Sequence, residues 1–97
     1  MATYVVLGRF TQQGVETIED SPKRVDATRK LLKSHGATLK AFYLLFGAHD
    51  WLAIIDAKDD QKLAAALLAL AAQGNSSTET MRAFDENEYR KIVKNVG

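Results

Sequence analysis

The sequence predicts an α+β domain, one sheet backed by helices, and three observations predict it. Residues 42–57 carry two apolar runs, Phe42–Phe46 and Trp51–Ala57, on either side of Gly47-Ala48-His49-Asp50. Each run is short and rich in aromatic or β-branched residues, the pattern of a strand. A Gly and an Asp within a four-residue break make it a hairpin turn. Two stretches of helical character, one opening at Ser21-Pro22 and the other at Asp59-Asp60, flank this hairpin.

Taken in order, Thr3–Phe10 reads as the first strand from its β-branched and aromatic density. Gly8 inside it predicts a bulge or a close backbone approach. Thr11-Gln12-Gln13-Gly14 reads as a loop, and Val15–Asp20 as a helical turn at most. Ser21 is placed to cap a helix with Pro22 at its first position. Val25, Thr28, Leu32 and His35 follow at helical spacing, and Gly36 is the C′ glycine that ends the helix. Ala37–Phe46 and Trp51–Ala57 are the second and third strands. On the third, Trp51, Ala53, Ile55 and Ala57 share one face and Leu52, Ile54 and Asp56 the other, so the strand needs cover on both sides. Asp59 or Asp60 caps a second helix. From Leu63 to Ala72 it has no polar residue, which predicts burial all round, with Leu67 or Leu70 against a neighbouring subunit or the last helix. Gly74 is its stop. Ser76–Phe84 is a more polar fourth strand, suited to a sheet edge. Asp85 with Glu88 forms a capping box for a last helix striped by Tyr89, Ile92, Val93 and Val96.

The order βαββαβ plus a C-terminal helix is that of a ferredoxin-like split βαβ sheet, in a single domain over residues 1–97. Two helices cover one face of such a sheet. The strands here are apolar on both faces, so the open face is expected to meet a second copy, sheet against sheet, as a dimeric α/β barrel. The partners expected are therefore the chain itself, as a homodimer or higher homo-oligomer, and a small molecule. Thirteen basic and 12 acidic residues give a net charge of +1, which argues against nucleic acid. The sheet-face aromatic motif of RNA readers is also missing. No cysteine is present, so disulfides and thiolate chemistry are excluded. No run is long enough to span a membrane, and the N-terminus shows no basic segment followed by an apolar core. A cytoplasmic location is expected, and no cofactor or metal.

Several segments resemble the GYD-domain family of small bacterial proteins. They are Tyr4–Gly14, Ser21-Pro22-Lys23-Arg24, Phe42-Tyr43-Leu44, Gly47-Ala48-His49-Asp50, Gln73-Gly74-Asn75 and Thr78–Phe84. The resemblance implies a dimeric α/β barrel without an assigned activity. The motif that names the family falls at the hairpin. Gly47 and Asp50 match it, and His49 stands where the family usually has Tyr. The Gly-x-x-Asp turn is also similar to that of the effector domain of leucine-responsive-type regulators, which bind amino acids near it between subunits.

The candidate ligand-binding residues are thus Gly47, His49 and Asp50, with Arg9, Asp56 and Arg82. Asp50 either bonds backbone N–H groups to hold the turn or faces a cavity. His49 carries an imidazole, the side chain most often used as a general base. Asp56 on an apolar strand needs a wet end or a partner, and Arg9 and Arg82 are the cations for it or for an anionic ligand. Tyr43, if buried, needs a partner for its hydroxyl. Three functions compete: a small-molecule-binding oligomer, a cofactor-less enzyme of monooxygenase or isomerase type using His49, Asp50 and Tyr43, and a structural interaction module. No nucleotide-binding Gly signature, nucleophile elbow or paired catalytic carboxylates select among them.

Overall fold

The computed structural model describes residues 1–97, with four strands and four α-helices along the chain. They run β1 (Ala2–Phe10), α1 (Gln12–Glu16), a 3₁₀ turn (Ile18–Asp20), α2 (Ser21–Ser34), β2 (Ala37–Leu44), β3 (Trp51–Ala57), α3 (Asp60–Ala72), β4 (Ser76–Ala83) and α4 (Glu86–Lys94). The strands form one antiparallel sheet in the order β2-β3-β1-β4. This is the ferredoxin-like order, with the two most apolar strands, β1 and β3, at the centre and the polar β4 at an edge.

Directly paired residues on antiparallel strands share a face. The pairs Tyr4↔Ile55, Val6↔Ala53 and Gly8↔Trp51 lie on the side covered by helices. There Val6, Ala53 and Ile55 meet Leu32 of α2 and Leu63 and Ala66 of α3 in the core. The pairs Val5↔Ile54 and Leu7↔Leu52 lie on the opposite side, flanked by Tyr43 of β2 and Met81 of β4. That side carries no helix. Only ten of the 97 residues are buried, and none of them is polar or charged.

Gly8 is a close approach, as its position in a strand suggested. A Cβ there would lie 1.9 Å from the Trp51 ring, which crosses it. Lys40 makes the bulge, between Leu39 and Ala41. Leu39 and Phe42 therefore both face the helices although they are three residues apart, which is why β2 does not alternate in sequence. β2 stops at Leu44 rather than Phe46. The Leu45 N–H donates to the Asp50 carbonyl at 2.8 Å and closes a six-residue loop, and Phe46 at its tip is fully exposed.

Three local expectations are corrected. The segment read as a loop contains helix α1, because Thr11 caps it by accepting from the Gly14 N–H at 3.1 Å. Gly14 is inside the helix for want of space, since a Cβ would meet the Asn75 carbonyl at 2.1 Å. Ser21 does not cap α2. The 3₁₀ turn runs straight into the helix and Ser21 already has helical angles, φ −54° and ψ −42°. Helix α3 is not buried all round, because it lies on one sheet face with nothing behind it. Leu63 and Ala66 point inward, Leu67 and Leu70 are half-buried toward the domain, and the outward leucine is Leu68, 71% exposed. Asp59 caps this helix by accepting from the Gln61 and Lys62 N–H groups at 2.9 and 3.2 Å. The capping box of α4 forms as read, Glu88 N–H to Asp85 at 2.8 Å and Asp85 N–H to Glu88 at 3.1 Å. No residue of α4 is buried, and the molecule is drawn out to 51 × 31 × 17 Å.

Candidate functional site

The β2–β3 loop folds back over the end of β1, and Asp50 fastens it there. Its carboxylate accepts the Phe10 N–H at 2.8 Å, and its own N–H donates to the Gly8 carbonyl at 2.8 Å. With its carbonyl accepting from Leu45, Asp50 joins segments forty residues apart. Phe10 ends β1, so this bond continues the strand's pairing where no backbone carbonyl is in register. Gly47 has φ +105°, in the left-handed region that side chains disfavour, with open space around it. Its role is to let the loop turn, not to admit a neighbour.

The fold-back carries His49 across the end of β1 to β4, where its Nε2 lies 3.5 Å from Glu79 Oε2. His49, Glu79, Arg9, Leu7, Ser77 and Thr78 line an open, mainly polar cleft of about 260 Å³. Leu7↔Glu79 and Arg9↔Ser77 are cross-strand pairs on the uncovered face, so the cleft is the turn-side end of that face. The imidazole and carboxylate answer each other when His49 is protonated, and the Arg9 guanidinium makes no ion pair. The cleft therefore offers one free cation beside a mixed pair, an arrangement able to hold a small polar molecule.

The other candidates lie elsewhere. Asp56 is at the far end of the sheet and accepts from Thr3 Oγ1 at 2.9 Å, so neither arginine is its partner. Arg82 pairs across from Tyr4, 3.7 Å from Glu88, with its guanidinium carbon 4.3 Å from the Phe84 ring centre. It ties α4 to β4. Tyr43 sits on the β2 edge, with β3 and β1 between it and Glu79, and is 57% exposed. The structure thus brings Arg9 and His49 together with Glu79, near Asp50, and separates Tyr43, Asp56 and Arg82 from them. Glu79 escaped the sequence reading because only the register of β4 and the loop's return place it by His49.

The GYD domain family model matches residues 4–93. The chain belongs to the GYD-domain family. Among curated relatives of this GYD domain is the glutamine synthetase and cystathionine beta-lyase binding protein of Thermus thermophilus. It is 32% identical over 85 residues, which span 87% of this chain and 90% of the relative. The crystal structure of TTHA0845 from Thermus thermophilus superposes with a TM-score of 0.54 at 25% identity, covering 88% of this chain and 95% of that one. Two further crystal structures share the fold at lower identity. MtbAldR gives a TM-score of 0.68 at 15% identity, over 88% of this GYD domain and 52% of that chain, about half its length. FFRP-DM1 gives 0.60 at 17% identity, over 87% of this chain and 100% of that one.

Proposed function

We infer that this GYD domain is a self-associating cytoplasmic binding protein, whose bare sheet face seats a second copy and whose remaining apolar surface engages other proteins. The carrying observation is the helix-free face built on Val5, Leu7, Leu52 and Ile54. A contiguous apolar face of this kind marks an interaction surface. Four strands about 4.8 Å apart and some seven residues long at about 3.3 Å each outline roughly 400 Å² in projection. With side-chain relief added, that approaches the roughly 800 Å² per partner of a standard interface. Sheet packed on sheet would close the β core as a dimeric α/β barrel.

Helix α4 supports the second half of the reading. A nine-residue helix is marginal alone in water, yet Tyr89, Ile92 and Val93 align on it 44–59% exposed. The Thermus thermophilus relative is named for binding glutamine synthetase and cystathionine beta-lyase, and enzymes of that kind are the partner class proposed here. The chain has no cysteine, so an Ile54→Cys variant gives an unambiguous cross-link. A bismaleimide should yield covalent dimer from Ile54→Cys and not from Lys30→Cys on α2. Sedimentation of mixtures with purified glutamine synthetase or cystathionine beta-lyase should show a complex that Ile92→Asp weakens. No cross-link and no complex would overturn the reading.

The cleft favours a second, compatible reading. Arg9 without an ion pair beside His49 and Glu79, at the border of the proposed interface, suits a small polar ligand with an anionic group. Catalysis by His49, Asp50 and Tyr43 is less well supported, because the Asp50 carboxylate already holds Phe10 and Tyr43 lies on the other edge. Arg9→Gln should abolish binding of such a ligand without altering assembly, and titration calorimetry with candidate anions reads it.

A further inference from the structure

On the helix-covered side of the sheet, opposite the bare face and meeting the cleft only at Thr78, a crevice of about 80 Å³ opens between α2 and α3. Ala53 forms a dent in its floor, Phe42 and Trp51 stand at one end, and Leu67 and Leu70 of α3 face Thr28 of α2 across it. We propose that this crevice is a binding site for a small uncharged molecule, which inserts the edge of one aromatic ring against Trp51 and keeps a hydroxyl or amide at the mouth.

Three features argue for a built site. The first is a rigid wall. Trp51 lies over Gly8, where no side chain could fit beneath it, and its Nε1–H donates to Ser76 Oγ at 3.3 Å. Phe42 stacks on it with ring centres 5.6 Å apart and planes at 29°. An aromatic surface held this way costs a flat ligand little ordering on either side.

The second is a brace that keeps the helices apart. Segment 11–17 is fastened to both of them. On the α2 side, Arg24 donates to the Gly14 carbonyl at 3.1 Å and to the Thr17 carbonyl at 2.9 Å. On the α3 side, Gln13 Nε2 donates to the Gln73 carbonyl at 2.9 Å and Thr11 Oγ1 to the Gly74 carbonyl at 2.6 Å. The contact of Gly14 with the Asn75 carbonyl adds a spacing that nothing larger allows. Helix α1 therefore wedges the start of α2 from the end of α3, and the crevice cannot close by sliding one helix onto the other.

The third is charge. Arg24 is the one charged residue around the crevice, and its guanidinium is spent on Gly14 and Thr17. Ser21 and Thr28 present hydroxyls without a side-chain hydrogen bond, so the mouth can pair a neutral polar group but not a charge. An apolar cavity of about 150 Å³ stays dry and takes benzene. Half that volume, open at one side, fits one end of a ring with the rest of the molecule in the mouth.

The probe is 4-fluorobenzyl alcohol, read by ¹⁹F line broadening and by emission of Trp51, the single tryptophan. A saturable emission shift is expected, together with shifts of the Leu67 and Leu70 methyl signals. Thr28→Phe and Leu70→Phe, which fill the crevice from opposite helices, should each weaken binding at least tenfold. Ile54→Asp on the bare face should leave it unchanged, and 4-fluorobenzoate should bind at least tenfold more weakly than the alcohol. No saturable shift in the wild type would overturn the proposal. So would binding retained by whichever filled variants fold, binding lost in a folded Ile54→Asp, or equal affinity for the benzoate.

Discussion

Removing the Asp50 side chain should unfasten the hairpin and do little else. In Asp50→Ala the Phe10 N–H, half-buried at the end of β1, loses the carboxylate 2.8 Å away. A hydrogen bond to a charged acceptor contributes about 1.5–3 kcal/mol, and an orphaned donor costs about 1–3 kcal/mol. These describe the same loss from two sides. Because water can reach part of this site, about 2 kcal/mol is the expected destabilisation. With a urea m-value of about 1–3 kcal/mol/M, the midpoint should fall by roughly 1 M with the slope unchanged. The melting temperature should drop by about 10 °C for a domain of this size. Asp50→Asn keeps an acceptor in place and should recover about half. The variants must be compared at one protein concentration, since association adds to apparent stability. If Asp50→Ala unfolds within about 0.5 kcal/mol of wild type while binding of a small anion is lost, the carboxylate belongs to a ligand and the structural account of it fails.

Four further substitutions test the packing and the cap of the last helix. Leu63→Ala should cost about 2–5 kcal/mol, whereas Leu68→Ala on the outer side of α3 should stay within about 0.5 kcal/mol, by chemical denaturation of a variant that remains assembled. Gly8→Ala drives a methyl group into the Trp51 ring and should cost about 1–3 kcal/mol or more, with a red shift of tryptophan emission as the ring is displaced. Asp85→Ala removes the capping box and should weaken α4 by about 1 kcal/mol. Hydrogen exchange should show faster opening of Tyr89–Val93 alone, unless α4 is docked in the assembly, in which case association weakens too.

Where sequence is a local code, it is legible. The Asp85–Glu88 box, the Gly36 stop and the Asp59 cap each depend on residues within one helical turn. The β3 faces follow from strict alternation, but both are apolar, and only the packing of α2 and α3 decides which of them is left bare. What escapes a reading of the sequence depends on partners far away along the chain. Gly14 looks like a loop glycine until Asn75 arrives against it. The bulge at Lys40 destroys the alternation that would assign β2. Asp56 looks like an ion-pair carboxylate because its neighbours are apolar, yet register supplies Thr3. Leu67 and Leu70 pass for the outward face of α3 because an all-apolar helix has no polar stripe to orient it, and the sheet alone decides that Leu68 points out. Of the site, Arg9 and His49 are legible as residue types, but their meeting with Glu79 rests on the loop's return across β1.

Sedimentation velocity of wild type and Ile54→Asp at micromolar concentration tests the central claim most directly. Ile54 is at the middle of the bare face, paired with Val5 and set away from the core, so an aspartate there should be harmless to a lone domain. The prediction is a dimer for wild type and a folded monomer, with unchanged far-ultraviolet circular dichroism, for Ile54→Asp. A folded wild-type monomer, or an Ile54→Asp variant that still sediments as a dimer, would contradict it.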